Sequence, residues 1–404
     1  MKTKMTIEQD DKMFKILVHI IPASGHVNPM LPILKQLIKS NRTEIIVYLT
    51  DEFKTKVESI GAQFRPLIDF DLTKKVKIEP VGNKRKLELT NVMNSLLDSV
   101  SANLEYLAAE INKEKPNLIF YDISGMHTKW TIKYYKKWYD LAKNSSDKSQ
   151  LKFSPTWPLP PMIAFSPMFL MDKLIYPNKV ERDLFFQLSP GLVFGIAGVF
   201  MKGLSKSIKH GLGFQNIMGS IDLKPDEHTS FVIASILPEI QPRSHLFDSD
   251  IYKFVGSTAE EISTTNSDDK IEKILNSLPE IKKKDGIFDE NDIVLVYSSL
   301  GTVFNNNLVI YTKIIDAFKT FDQEPSKTKH TKLKFSNIRL IVSLGKTYDL
   351  IQDLIGQNKF QVPENILLVK TAPQIEILKK ASLFITHSGM NSTSESIHYG
   401  GIWF

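Results

Sequence analysis

Apolar residues run almost without interruption from Phe14 to Ile21 (FKILVHII), the pattern of a strand buried on both faces of a parallel sheet. A loop carrying Pro22 and Gly25 follows, and the pattern then predicts a helix from about Asn28 to Lys39 and a strand over Glu44–Leu49. Two more inner strands are predicted at Leu118–Tyr121, after a lysine-rich helix and Pro116, and at Met162–Phe165. Between them Lys143–Pro160 (KNSSDKSQLKFSPTWPLP) is polar and then proline-punctuated, and reads as a surface insertion. The stretch Ser257–Lys284, with STTNSDD inside it, has linker composition. Beyond it the alternation restarts: strands at Ile293–Ser298, Ile338–Leu344, Ile366–Val369 and Leu383–Thr386, with helices at Leu308–Phe321 and Ile375–Lys380. Strands alternating with helices predict parallel sheets with crossover helices, hence an α/β chain of two doubly wound units. The divisions are 1–257, a linker at 258–290, and 291–404.

Composition narrows the function classes. A chain of 404 residues is too long for one ordinary core. Its 42% hydrophobic and 24% charged content is that of a globular protein. The net charge of +6 is spread over dispersed lysines, and no recognition helix or aromatic RNA-binding strand accompanies it, so no nucleic-acid partner is expected. With no cysteine, disulfides, zinc–thiolate sites and thiol nucleophiles are excluded. The charged N-terminus lacks the apolar stretch of a signal peptide, and a cytoplasmic location is expected. The most apolar run, Gly191–Met201, is too short to span a bilayer; it reads as a buried helix or a pocket wall, with peripheral membrane contact a lesser alternative.

The chemistry concentrates where the last predicted strand meets THSGMNSTSES (Thr386–Ser396). A turn built from Ser388 and Gly389 lets backbone approach a ligand closely. Asn391 or Ser392 can cap a following helix, and Glu395 lies at the capping-box spacing from Ser392. Free N–H groups at such a helix start suit phosphate, and His387 adds a donor that can be partly cationic. An ordinary strand-to-helix turn is the alternative. A second Ser/Gly/Thr turn, in VYSSLGTVF (Val296–Phe304), belongs at the same end of the same sheet, where ligands bind in doubly wound folds.

The ordered set SLGT, APQ..IL and HSGMNST..ES resembles the donor-binding signature of family 1 UDP-glycosyltransferases of the macrolide and plant type. In the first half IPASGHVNPMLPILKQL (Ile21–Leu37), NLIFYD (Asn117–Asp122), IAFSP (Ile163–Pro167) and IQPRSHLFDSDIYKFVGS (Ile240–Ser257) fall in the same family's order. The resemblance implies a GT-B fold of two facing Rossmann-like domains, the first taking the acceptor and the second the nucleotide sugar. It implies His26 as general base, oriented by Asp122. It further implies Thr302 and the Asn391-Ser392 backbone on the diphosphate with His387, Gln374 and Glu395 on the ribose, and Ala372 main chain on the uracil. The expected reaction is inverting transfer of a hexose from a UDP-sugar to a hydroxyl of a lipophilic small molecule. The UDP-sugar is a co-substrate, and no metal or other cofactor is expected.

Three departures qualify that expectation. The position that carries a base-stacking aromatic in the family is Thr371. The sequence ends GGIWF (Gly400–Phe404), before the family's sugar-reading pair, so the second domain is expected to be incomplete and the chain truncated. Lys143–Pro160 has no family counterpart. The alternative function is therefore a catalytically impaired or inactive homologue that binds nucleotide or a hydrophobic ligand. A dinucleotide oxidoreductase is a poorer fit, because Gly211-Leu212-Gly213 lacks the third glycine.

Overall fold

The structure is a computed structural model that describes residues 13–70, 85–168, 170, 190–212, 225–260, 269–278, 292–301, 307–319 and 337–403. The first sheet contains β1 (Phe14–His19), β2 (Thr43–Leu49), β3 (Gln63–Pro66), β4 (Leu118–Asp122), β5 (Met162–Ser166), β6 (Thr229–Ala234) and β7 (Tyr252–Phe254). They lie in the order β3-β2-β1-β4-β5-β6-β7, all parallel. The second sheet contains β8 (Val294–Ser299), β9 (Ile338–Ser343), β10 (Ile366–Val369), β11 (Leu383–Thr386) and β12 (Ile402–Trp403), in the order β10-β9-β8-β11-β12, again all parallel.

Side chains alternate between the two faces of a strand, and here both faces are covered, so the runs are apolar throughout. From β1, Leu17 enters one core with Tyr48, Trp130 and Tyr135, while Ile16 and Val18 enter the opposite one with Val27, Leu31 and Val47. In the second sheet Val294 and Val296 face one way and Leu295 and Tyr297 the other. Each fully buried side chain of this size contributes roughly 2–3 kcal/mol, which is what holds these strands to a single register.

Four local differences from expectation have physical reasons. The first helix, α1, spans Ser24–Ile38 and so begins before Asn28, with Pro29 and Pro32 inside it. Its buried stripe of Val27, Met30, Leu31 and Leu34 holds it on the sheet despite the two missing N–H groups. Lys143 and Asn144 close the helix Met126–Asn144, and the rest of Lys143–Pro160 carries a short turn at Lys148–Gln150, but it is anchored and not merely superficial. The Tyr135 hydroxyl donates to the Trp157 carbonyl at 2.7 Å, the Trp157 indole N–H donates to the Pro116 carbonyl at 3.0 Å, and Phe153 meets the rings of Tyr134 and Tyr135.

Gly191–Met201 falls within one helix, Pro190–Lys209, which buries Val199 and exposes Met201 and Ile208. No helix among the described residues is long and apolar enough to cross a membrane. Within the stretch read as linker, Asp269–Asn276 is helical and sets Ile271 among Leu295, Ile341 and Phe384 of the second sheet.

Candidate active site

Both sheets reverse their strand order once, between β1 and β4 in the first and between β8 and β11 in the second. Loops leaving adjacent strands diverge at such a point and open a crevice at the carboxyl edge. Among the described residues, His26 and Asp122 sit at the first of these crevices and His387, Asn391, Gln374 and Glu395 at the second.

In the first sheet His19 is level with Tyr121, so the turn after β1 and the last residue of β4 emerge side by side. His26, in the first turn of α1, places Nδ1 2.6 Å from Asp122 Oδ2. The other Asp122 oxygen accepts the Ser124 backbone N–H at 2.8 Å. Asp122 is fully buried, whereas the His26 side chain keeps 17% of its surface open to the cleft. Burial pulls the His26 pKa down, but the charge and hydrogen bond of Asp122 outweigh it and leave the pKa above the ordinary 6.5. For Asp122 burial pushes up, and the His26 charge, its hydrogen bond and the Ser124 N–H carry the net shift downward. The carboxylate favours the tautomer in which Nδ1–H donates to Asp122, which makes Nε2 the basic nitrogen of a ring that lines the cleft.

In the second sheet Ser299 is level with Thr386, which brings Gly301 beside His387. A Cβ on Gly301 would lie 2.5 Å from His387 Cε1, and one on Gly389 would lie 2.7 Å from His387 Nε2. The two glycines thus make room for the imidazole, a role the sequence reading did not assign them. Partial burial lowers the His387 pKa below the ordinary 6.5 and so favours its neutral form. Ser388 takes a left-handed φ of 58° to make this turn and does not line the cleft. Thr302 lies outside the described residues.

The proposed capping box is not formed. Helix Met390–His398 has Gly389 as its N-cap, with no side chain capping it, and Ser392 lies inside the helix, where it is buried. Glu395 instead accepts the Gln374 amide at 2.5 Å; the same amide reaches Ser392 Oγ at 3.4 Å, and the Tyr297 hydroxyl donates to Gln374 Oε1. A tertiary partner has captured the carboxylate that local spacing assigned to the backbone. The N-cap residue supplies no side-chain cap, and the residues of the helix start, Met390, Asn391 and Ser392, line the cleft.

The two crevices open onto one cleft of about 580 Å³, lined from the first domain by His26 and Met168 and from the second by His387, Gly389, Asn391, Gln374 and Glu395. Ala372 and Ser392 also line it. The cleft is bridged by a contact that the prolines explain. Pro29 has no N–H for the carbonyl of Gly25 four residues earlier, and the Asn391 side-chain amide donates to that carbonyl. Thr258 Oγ1 donates to the Pro29 carbonyl at 2.6 Å, and Met390 packs against the first domain's core. A proline three residues after a candidate base is the sequence signal that could have located this bridge.

No protein-family model matches the chain. It is 24% identical to the uncharacterized UDP-glucosyltransferase YojK of Bacillus subtilis, across 96% of this chain and 78% of the relative. It is also 24% identical to the NDP-glycosyltransferase YjiC of Bacillus licheniformis, across 95% of this chain and 77% of that protein. Among solved structures, the kitacinnamycin glycosyltransferase superposes with a TM-score of 0.61 at 16% identity, covering 97% of this chain and 80% of its own. The calicheamicin glycosyltransferase CalG4 gives 0.58 at 15% identity, covering 97% and 78%. Two parallel sheets facing one cleft give this chain the GT-B fold, and relatives aligned along nearly the whole sequence mark it as a glycosyltransferase similar to the UDP- and NDP-glycosyltransferases.

Proposed function

We propose that the chain transfers a hexose from a UDP-sugar to a hydroxyl of a lipophilic small molecule, inverting the anomeric carbon, with His26 as the base. The observation that carries this reading is the His26–Asp122 pair, at 2.6 Å, on the wall opposite His387 and an uncapped helix start. His26 Nε2 takes the proton of the acceptor hydroxyl as its oxygen attacks the anomeric carbon. The bond from that carbon to the diphosphate oxygen breaks, and its electron pair departs with UDP. His387 and the backbone N–H groups of Asn391 and Ser392 meet the charge that develops there. The bonded Gln374–Glu395 pair meets the ribose hydroxyls, and the Ala372 main chain meets the base. In this reading residues 1–257 hold the acceptor, 258–290 connect, and 291–404 hold the donor. The activity belongs in the cytoplasm, and peripheral membrane contact falls to the helix that exposes Met201 and Ile208.

Titration calorimetry with UDP, followed by a radiolabelled UDP-glucose assay against a panel of phenols and aliphatic alcohols, tests the proposal. UDP binding and a labelled product are expected. Binding with no transfer to any acceptor would favour the nucleotide-binding reading, which Thr371 also supports, and absence of UDP binding would remove both and leave an inactive homologue that binds a hydrophobic ligand.

The glycines around His387 give a sharper test of the phosphate end. Gly389 has φ −60°, which any residue accepts, so Gly389→Ala acts through its Cβ and not through strain. Displacing His387 removes one hydrogen bond to a charged group, worth about 1.5–3 kcal/mol, so UDP affinity is expected to fall roughly 10- to 100-fold. Uridine, which has no phosphate, should lose nothing. An equal loss for both ligands would show that His387 does not serve the diphosphate.

A further inference from the structure

One peptide unit carries the candidate base into the cleft, and the second domain holds it. The unit that joins Gly25 to His26 is bonded on both sides. The His26 N–H donates to the Ala23 carbonyl at 2.8 Å, and the Gly25 carbonyl accepts the Asn391 side-chain amide. In an unbroken helix that carbonyl takes the N–H four residues on, and Pro29 has none to give. With its peptide plane bonded on both sides and Nδ1 bonded to Asp122, His26 is fixed at its backbone and at its ring.

Asn391 stands where the two halves of the proposed reaction meet. It is the second residue of the helix Met390–His398, whose start lines the cleft, and its side chain reaches the residue just before His26. The seating of the second domain has other supports. Met390 packs against the first domain's core, and the Tyr399 hydroxyl donates to the Ala259 carbonyl at 3.3 Å. Gly25 is exposed, so water satisfies its carbonyl once the amide is removed. What such a substitution takes away is therefore placement more than stability. A displacement of about 1 Å between a catalytic group and the reacting atoms costs on the order of 10²-fold in rate.

We propose that Asn391 is a positioning residue for the transfer step: its side-chain amide completes the helix bond that Pro29 cannot make, and so sets the His26 turn against the helix start that receives the diphosphate. This rests on the proposed function and deepens it, by giving the Asn391 side chain to the base's own peptide and only its backbone N–H to the donor.

Asn391→Ala keeps that N–H and is expected to lower kcat roughly 10- to 100-fold, with UDP affinity measured by calorimetry staying within about 3-fold. Pro29→Ala decides the cause, because it returns an N–H to the Gly25 carbonyl from within the helix. In that background Asn391→Ala is expected to cost less than about 3-fold in kcat. An equal cost in both backgrounds would overturn the inference. So would a loss of UDP affinity as large as the loss of kcat, which would put the side chain on the diphosphate. Amide hydrogen exchange of residues 23–31, read by mass spectrometry on the full chain, needs no turnover. It is expected to quicken in Asn391→Ala and to return to the original rate in the double variant. Unchanged exchange in Asn391→Ala would overturn the inference and leave the proposed function standing. An unaltered chain that transfers no sugar would overturn the proposed function and the positioning role with it, even where exchange shows the turn to be held.

Discussion

His26→Ala is expected to lower the rate of transfer by about 10²–10⁴-fold while leaving UDP affinity within about 2-fold of the unaltered chain. The asymmetry follows from the geometry. His26 stands on the first domain's wall of the cleft and meets the acceptor, whereas the groups assigned to the diphosphate and ribose, His387, Gln374 and Glu395, all belong to the second. A variant that lost UDP binding along with transfer would place His26 on the donor and not on the acceptor.

Asp122→Asn separates orientation from base strength. It keeps the volume in a site with no exposed surface, so the local packing persists. An amide nitrogen opposite Nδ1 favours the tautomer whose Nε2 carries the proton, which cannot act as a base, and a loss approaching that of His26→Ala is expected. The pH profile adds a second reading. The neutral imidazole is the active form, and the Asp122 charge holds the His26 pKa above 6.5, so kcat/KM should rise with pH along a limb centred above that value. In any residual activity of Asp122→Asn the limb should move to lower pH, because the raising charge is gone and burial remains. A limb that stays in place would detach Asp122 from the titration.

How much of this was legible in the sequence depended on whether a residue's partners were local. The eight expected strands were read nearly residue for residue, because burial on both faces writes an apolar run such as Phe14–Ile21 or Leu383–Thr386 into the chain itself, whereas β3, β6, β7 and β12 were not anticipated. Short exposed elements such as Lys54–Ser59, and the helix Tyr348–Gly356, leave no comparable run. The start of α1 was misplaced because Pro29 looks like a helix opener, while the sheet-facing stripe that carries the helix past it is a tertiary matter. Ser392 and Glu395 had capping-box spacing, yet Gln374, distant in sequence, took the carboxylate. The pairing of His26 with Asp122 was implied by the family resemblance, with their positions at the ends of two inner parallel strands in its favour; the room that Gly301 and Gly389 make for His387 was not legible, since it depends on strand register.

Acidification is expected to destabilise the first domain steeply, through two histidines that lie outside the proposed chemistry. His19, at the end of β1, and His127, in the first turn of the helix Met126–Asn144, are wholly buried with ring centroids 6.2 Å apart. One stands edge-on to Tyr48 and the other to Phe70, and all four ring nitrogens lack a protein partner. Burial lowers the His19 pKa to about 3, with the charge of His127 adding to it. Burial likewise lowers His127, to about 4, against the pull of Asp122. Both folded values lie below the unfolded value near 6.5, so below that pH the unfolded chain takes up protons that the folded chain refuses. Stability is then lost as pH falls from about 6.5 toward the folded values, at about 1.4 kcal/mol per pH unit for each histidine. By about pH 5 the pair costs about 4 kcal/mol, a large part of a typical domain's 5–15 kcal/mol. His26 works the other way, since its raised pKa adds stability as pH falls toward 6.5; that gain is complete there and persists below as a constant offset, while the decline continues. Urea unfolding at about pH 7.5 and about pH 5 measures the loss, and His19→Phe and His127→Phe are each expected to shrink it by about 2 kcal/mol, whatever they do to stability at neutral pH. An acid loss of the same size in both variants would show that the two rings are satisfied by partners such as ordered water and remain neutral at no cost.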